Sequence, residues 1–128
     1  MDECLLIRGG GAFRGAQGLD YFAGVSAETA GSTGICMHLL EIPPGGRATA
    51  HYHEAHETAI FVLEGTAEMR HGTNLEHLMH IEQGDFLYIP PGVPHQPYNA
   101  SAAVVRAIVA RTDPNEQESV VLVEEPGA

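Results

Sequence analysis

The stretch Gly84-Asp85-Phe86-Leu87-Tyr88-Ile89-Pro90-Pro91-Gly92-Val93-Pro94-His95-Gln96-Pro97-Tyr98-Asn99 decides how this chain folds. Residues 86–89 are aromatic or branched and are bounded by Gly84 and Pro90. A run that short and that well punctuated predicts a strand, not a helix. Pro90-Pro91-Gly92 then predicts a turn, because proline presets φ and glycine accepts the conformations other residues avoid. Residues 96–98 read as the return strand, so the turn presents His95 at its end.

The same grammar extends outward. Residues 35–42 read as a strand stopped by Pro43-Pro44-Gly45-Gly46. Residues 48–53 and 58–63 follow, the latter ended by Glu64-Gly65. Residues 66–70 pair with 75–81 across a turn at His71-Gly72-Thr73-Asn74, and Gln83-Gly84 makes another turn. Residues 103–110 and 120–123 complete the series. Short strands cut by Pro and Gly at regular intervals predict an all-β sandwich or barrel. Residues 1–34 hold Gly- and Ala-rich sequence without sustained period and are expected to form an N-terminal arm with little regular structure, apart from one helical turn within 23–30. Residues 35–123 are the barrel, and 124–128 a loose acidic tail.

Two of the eight histidines, His51 and His53, are two apart in a strand and leave it on one face, which is half of a metal site. Glu57 supplies a carboxylate close by. His71 is expected in solvent at a turn. His77 and His80 take opposite faces of one strand, and His38 can line the barrel from its first strand.

Composition excludes several classes of partner. Seventeen Asp and Glu against six Lys and Arg give a formal charge of −11. Such a surface repels phosphate backbones and anionic membranes, so no nucleic acid and no membrane is expected. No apolar run approaches the roughly 20 residues that span a bilayer. The acidic start, Met1-Asp2-Glu3, is unlike a secretory leader, which predicts a cytoplasmic protein whose Cys4 and Cys36 are thiols and whose Asn99-Ala100-Ser101 carries no glycan. Gly9-Gly10-Gly11 is not a phosphate loop: Arg14 stands where a third glycine is needed.

Taken together, these motifs resemble the two signatures of the cupin superfamily. Gly45, His51-Tyr52-His53, a carboxylate and Gly65 resemble the first; Gly84, Pro90, Gly92, His95 and Asn99 fit the second at its fixed positions. The resemblance implies a double-stranded β-helix, or jelly-roll barrel, with His51, His53 and His95 on one divalent ion: iron, manganese, zinc, nickel or copper. The family's carboxylate ligand usually stands where this chain has Thr58. Glu57 can replace it if a bulge restores its face, with His56 or water as alternatives. Glu57 would then also accept a proton from substrate. Ile60 and Val62 share a face with Thr58, which would make the interior apolar, with Tyr52, Tyr88 or Tyr98 as polar handles and Arg106 as the cation best placed to reach it. The implied function is a mononuclear metal oxidoreductase of dioxygenase type acting on a small molecule. Alternatives are a non-catalytic small-molecule binding or sensing protein and a metal-dependent isomerase or lyase. Exposed strand edges, together with the habit of the family, imply a homodimer through 5–7 or the edge strand 35–42.

Overall fold

Alternation of inward apolar and outward polar side chains builds the molecule, and a computed structural model describes residues 3–9, 11–117 and 119–125. The elements run β1 (Ala12–Arg14), β2 (Asp20–Val25), α1 (Ala27–Ala30), β3 (Cys36–Ile42), β4 (His51–Tyr52), β5 (Thr58–Glu64), β6 (Ala67–His71), β7 (His77–Ile81), β8 (Phe86–Ile89), β9 (His95–Tyr98), β10 (Val105–Arg111) and β11 (Val121–Leu122). They form two antiparallel sheets, ordered β1-β2-β3-β10-β5-β8 and β11-β4-β9-β6-β7. The chain crosses between the sheets repeatedly, as a double-stranded β-helix does, and the expected all-β jelly-roll barrel is present.

The core lies between the sheets. From β3 come Leu40 and Ile42, from β10 Val105 and Val109, and from β5 and β8 Val62, Leu87 and Ile89, all buried. Thr58, Ile60 and Val62 face inward as their shared parity predicts, and Phe86 and Tyr88 face out. At about 1.5–3 kcal/mol for each fully buried large apolar side chain, this row supplies the main favourable term of folding.

Residues 1–34 contain more order than their composition predicts. β2 pairs with β3, and β1 with β2, extending the first sheet. Leu19, Tyr21 and Ala23 alternate inward and are buried. That weak alternation is the signal hidden among the glycines. It also moves strand 35–42 from the sheet edge to its interior, between β2 and β10, so it offers a partner no edge. The helical turn expected in 23–30 is α1, capped by Ser26, whose hydroxyl accepts from the Thr29 N–H. Of the acidic tail, Glu125 is described and is tied down: it accepts from the Gln96 amide and faces Arg47 at 3.9 Å. Residues 126–128 lie outside the described residues.

Asn99 joins the two halves of the motif. Its amide donates to the Ile42 and Ala103 carbonyls at 2.9 and 2.8 Å, and its backbone exchanges hydrogen bonds with Gly45 and Gly46. It is buried and supports the turn at Pro43–Gly46, where the first motif begins, and not the Pro90–Gly92 turn that presents His95.

Two turn glycines test this geometry. Gly65 has φ 89°, and an added Cβ would lie 2.7 Å from the Val104 carbonyl oxygen. Gly84 has φ 90° with open space around it. Gly84→Ala should therefore cost only left-handed strain, about 1–2 kcal/mol. Gly65→Ala should cost more, about 2–4 kcal/mol, because backbone must also move. Urea denaturation of both variants checks the order.

Candidate metal centre

β4, the turn before β9 and the segment after residue 118 bring three histidines together. His51 pairs directly with His95 across β4 and β9. His53 follows β4 two residues on, and its carbonyl accepts from the Gly92 N–H at 2.6 Å, locking the proline–glycine turn against it. One ligand nitrogen from each of His51, His53 and His95 lies within 4.8 Å of the other two, and all three residues are buried. Their ring centroids are 4.3–5.2 Å apart.

Each ring is oriented by a backbone carbonyl. The Nδ1 of His51 donates to Thr49 at 2.6 Å, that of His53 to Ser119 at 2.8 Å and that of His95 to Val93 at 2.9 Å. A carbonyl can only accept, so each Nδ1 carries the hydrogen and the lone pair sits on Nε2. That is the tautomer, and the supporting bond, that imidazole uses when it binds a metal. Three buried, pre-oriented imidazoles, which bind metal in their neutral form, suit a first-row transition ion or zinc. The cluster can hold a metal ion.

Glu57 does not join it. The carboxylate is exposed and accepts from the Tyr88 hydroxyl at 2.8 Å on the outer face of the barrel. The expected bulge is missing where it was needed. Thr58 pairs in register with both Ile89 and Arg111, and the one irregularity between β5 and β10 falls at Arg106 and Ala107, the far end. The Glu57 backbone is further pinned by Thr112 from both its N–H and its carbonyl. Regular strand parity therefore carries Glu57 outward. His56 is buried with its ring 4.4 Å from that of His53, but its Nδ1 faces Asp113 at 3.6 Å and it lies outside the three-histidine group.

Thr58 takes the inward place. It is buried and lines the interior cavity with His51 and His95, and its hydroxyl makes no hydrogen bond among the described residues. The rest of the lining is largely aliphatic, including Ile60, Val62 and Ile89. The polar handle is Tyr21, which residue patterning missed because it sits in the glycine-rich segment; Tyr52, Tyr88 and Tyr98 do not line this cavity. Arg106 also turns outward, to Glu41 and Glu64, while Arg111 is the buried arginine, 5.7 Å over the Tyr21 ring. His38 is buried on β3, stacked edge-on with Phe13 and Tyr21. Register also puts His71 opposite His95 and His77 opposite His71, with the His71 and His77 rings 5.3 Å apart and His77 exposed, while His80 takes the opposite face of its strand. Among the described residues no helix is long and apolar enough to cross a membrane.

Comparison with known proteins agrees with this picture. A model of the family described as Cupin domain matches residues 38–111, more than half of the chain. The uncharacterized protein MJ1618 of Methanocaldococcus jannaschii is 27% identical over 93 residues, covering 71% of this chain and 72% of that protein. A conserved protein with a double-stranded β-helix domain from Klebsiella pneumoniae superposes with TM-score 0.66 at 19% identity, over 82% of this chain and 85% of that one. The polyketide cyclase RemF from Streptomyces resistomycificus superposes with TM-score 0.70 at 22% identity, over 94% and 79%. At these identities the two structures speak for the fold.

Two substitutions separate the groups inside the cluster from those outside it. His51→Ala should abolish stoichiometric metal in a protein purified without a histidine tag, while the barrel stays folded. Glu57→Gln should leave metal content and affinity unchanged. It should instead lower the ionisation pH of Tyr88, which its hydrogen bond to Glu57, then burial, then the carboxylate's charge hold above the ordinary phenol value. The bond exists only while the phenol keeps its proton, so losing the carboxylate removes the upward push. Metal analysis and ultraviolet titration read the two outcomes.

Proposed function

This chain belongs to the cupin family, and from that premise we propose that it is a mononuclear metal oxidoreductase of dioxygenase type, acting on a small organic molecule inside the barrel. The observation that carries the reading is the buried His51, His53 and His95 group, each ring set by a backbone carbonyl, with His51 and His95 at the wall of an apolar cavity. Three protein ligands leave coordination positions for other molecules. A divalent ion held there supplies Lewis acidity and, as iron or copper, one-electron chemistry toward dioxygen. The chain does the rest. Its aliphatic wall takes the body of the ligand and excludes water, and Tyr21 and Thr58 offer the hydroxyls that orient it. With Glu57 outside, no side-chain carboxylate lines the interior cavity among the described residues, and its two imidazoles belong to the cluster, so proton removal from a substrate falls to the substrate's own acidity.

Cobalt-, zinc-, copper- and iron-loaded protein, prepared anaerobically and then screened for oxygen uptake with small phenols, enols and oxo acids, tests the proposal. Oxygen consumption confined to the iron or copper form is expected. Turnover without oxygen would replace this reading by an isomerase, lyase or cyclase, the last being the activity of the similar polyketide cyclase RemF. Stoichiometric metal with ligand binding and no turnover would make it a binding protein.

We also propose that the protein works as a homodimer, but through a sheet face and not through strand edges. Met37, Phe61, Phe86, Tyr88 and Ile108 lie together on the outer face of the first sheet, with Phe86 83% exposed. On a chain of charge −11, this uncharged area is where two copies meet with the least repulsion. Light scattering should give a dimer at micromolar concentration and a monomer for Phe86→Glu; a wild-type monomer would contradict the proposal.

A further inference from the structure

The β6–β7 hairpin carries a second set of donors outside the three-histidine cluster. Met69 stands directly opposite Met79, and His71 directly opposite His77. Residues two apart in a strand share a face, and so do residues opposed across a ladder. Two thioethers and two imidazoles therefore leave the hairpin on one side. Opposed Cβ atoms lie about 4.5–5.5 Å apart, and diagonal neighbours stay within reach of long side chains. A cavity that Tyr88 and Val93 also line takes in three of the four, Met69, His71 and Met79. His77 is not part of its wall and is exposed.

Packing accounts for this arrangement only in part. Met69 is 3% exposed and belongs to the buried cluster with Val62 and Ile81, and Met79 packs against that cluster half-buried. Leucine would fill the same space, and ordering a methionine costs more rotamer freedom than ordering a leucine. The chain holds four methionines, and two of them meet here beside a histidine. What methionine adds over leucine is a soft, polarisable sulfur with a lone pair.

The electrostatics narrow the choice of ligand. Thioether and neutral imidazole carry no charge, and among the described residues no acidic side chain lines the cavity. The cost of bringing an ion into such surroundings rises steeply with its charge, so a monovalent ion is accommodated where a divalent one is not. Thioether ligands select copper(I).

We propose that Met69, Met79 and His71 form a second metal site, a three-donor pocket for copper(I). Binding breaks no bond and changes no oxidation state. Met79 and His71 are half-buried, which leaves the pocket open to an ion from solvent, and the charge of −11 draws cations toward the surface. The site takes no ligand from the three-histidine cluster and fills independently of it. His95 lines both this cavity and the interior one, so the two centres share a wall.

The test uses the full chain with Cys4→Ser throughout, because an exposed thiol competes for copper, whereas Cys36 is buried. Copper(I) is supplied anaerobically as its bicinchoninate complex. This parent chain should withdraw copper from the indicator, and X-ray absorption at the copper edge should show sulfur among the nearest neighbours of the ion. Met79→Leu, at a half-buried position, should bind copper(I) more weakly by about tenfold or more, since one of three donors is gone. Met69→Leu combined with Met79→Leu should lose the sulfur signal, yet keep the circular dichroism and the zinc(II) content of the parent. The sulfur signal should persist in His51→Ala, where the three-histidine cluster is broken. A parent shell of nitrogen alone, or equal copper(I) affinity in the parent and Met79→Leu, would overturn the site and leave the cluster standing.

Discussion

Three hydrogen bonds from imidazole to backbone carbonyl govern how the centre of this molecule is built. The carbonyls of Thr49, Val93 and Ser119 come from three distant parts of the chain, and each fixes one ring of His51, His95 and His53. Because the acceptors are main chain, ring orientation is inherited from the fold and not from other side chains that could repack. The fold in turn has to place residues 49, 93 and 119 around one point. That is why the Asn99 hub and the bond from Gly92 to the His53 carbonyl matter: they tie the two sequence motifs together at fixed distance.

Strand parity sorts the charged groups with equal economy. The inward positions on β5 are Thr58, Ile60 and Val62; Glu57 and Tyr88 are one residue out of phase with this face, and the irregularity between Val62 and Glu64 turns the Glu64 carboxylate out as well. Glu57 and Tyr88 therefore meet on the outer face, and Arg106 meets Glu41 and Glu64 there too. The inside keeps neutral donors in an aliphatic setting, where an electrostatic interaction is worth several times its value in water. A single-residue slip of β5 would exchange the two populations and destroy both faces at once.

Much of this was legible in the sequence, and the failures have identifiable causes. The Pro–Gly punctuation marked the succession of strands from β3 onward, and His51, His53 and His95 were recognisable from a spacing of two and a turn. Glu57 misled because a family pattern tolerates either of two adjacent positions, whereas the observed register, set by Ile89 and Arg111 on other strands, admits one. Tyr21 was missed because glycines on either side dilute the alternation of β2, which becomes persuasive only against β3. Arg111 and Arg106 differ by five residues, hence in parity, and only the pairing of β10 says which of the two is buried. The role of Ser119 had no local signal at all, since a carbonyl acceptor leaves no mark on residue type.

That last contact has a further consequence. β11 pairs with β4 at His51 and Tyr52, Ser119 accepts from His53, and Glu125 anchors the segment to Gln96. Residues 119–125 are thus a strap fastened to the same residues that form the cluster. Whatever steadies the histidines steadies the strap, and the free energy of one is shared with the other. Susceptibility of the C-terminal residues to a protease becomes a gauge of how fully the interior is occupied. A bulky fusion appended there would act on the centre through backbone alone, from outside the barrel.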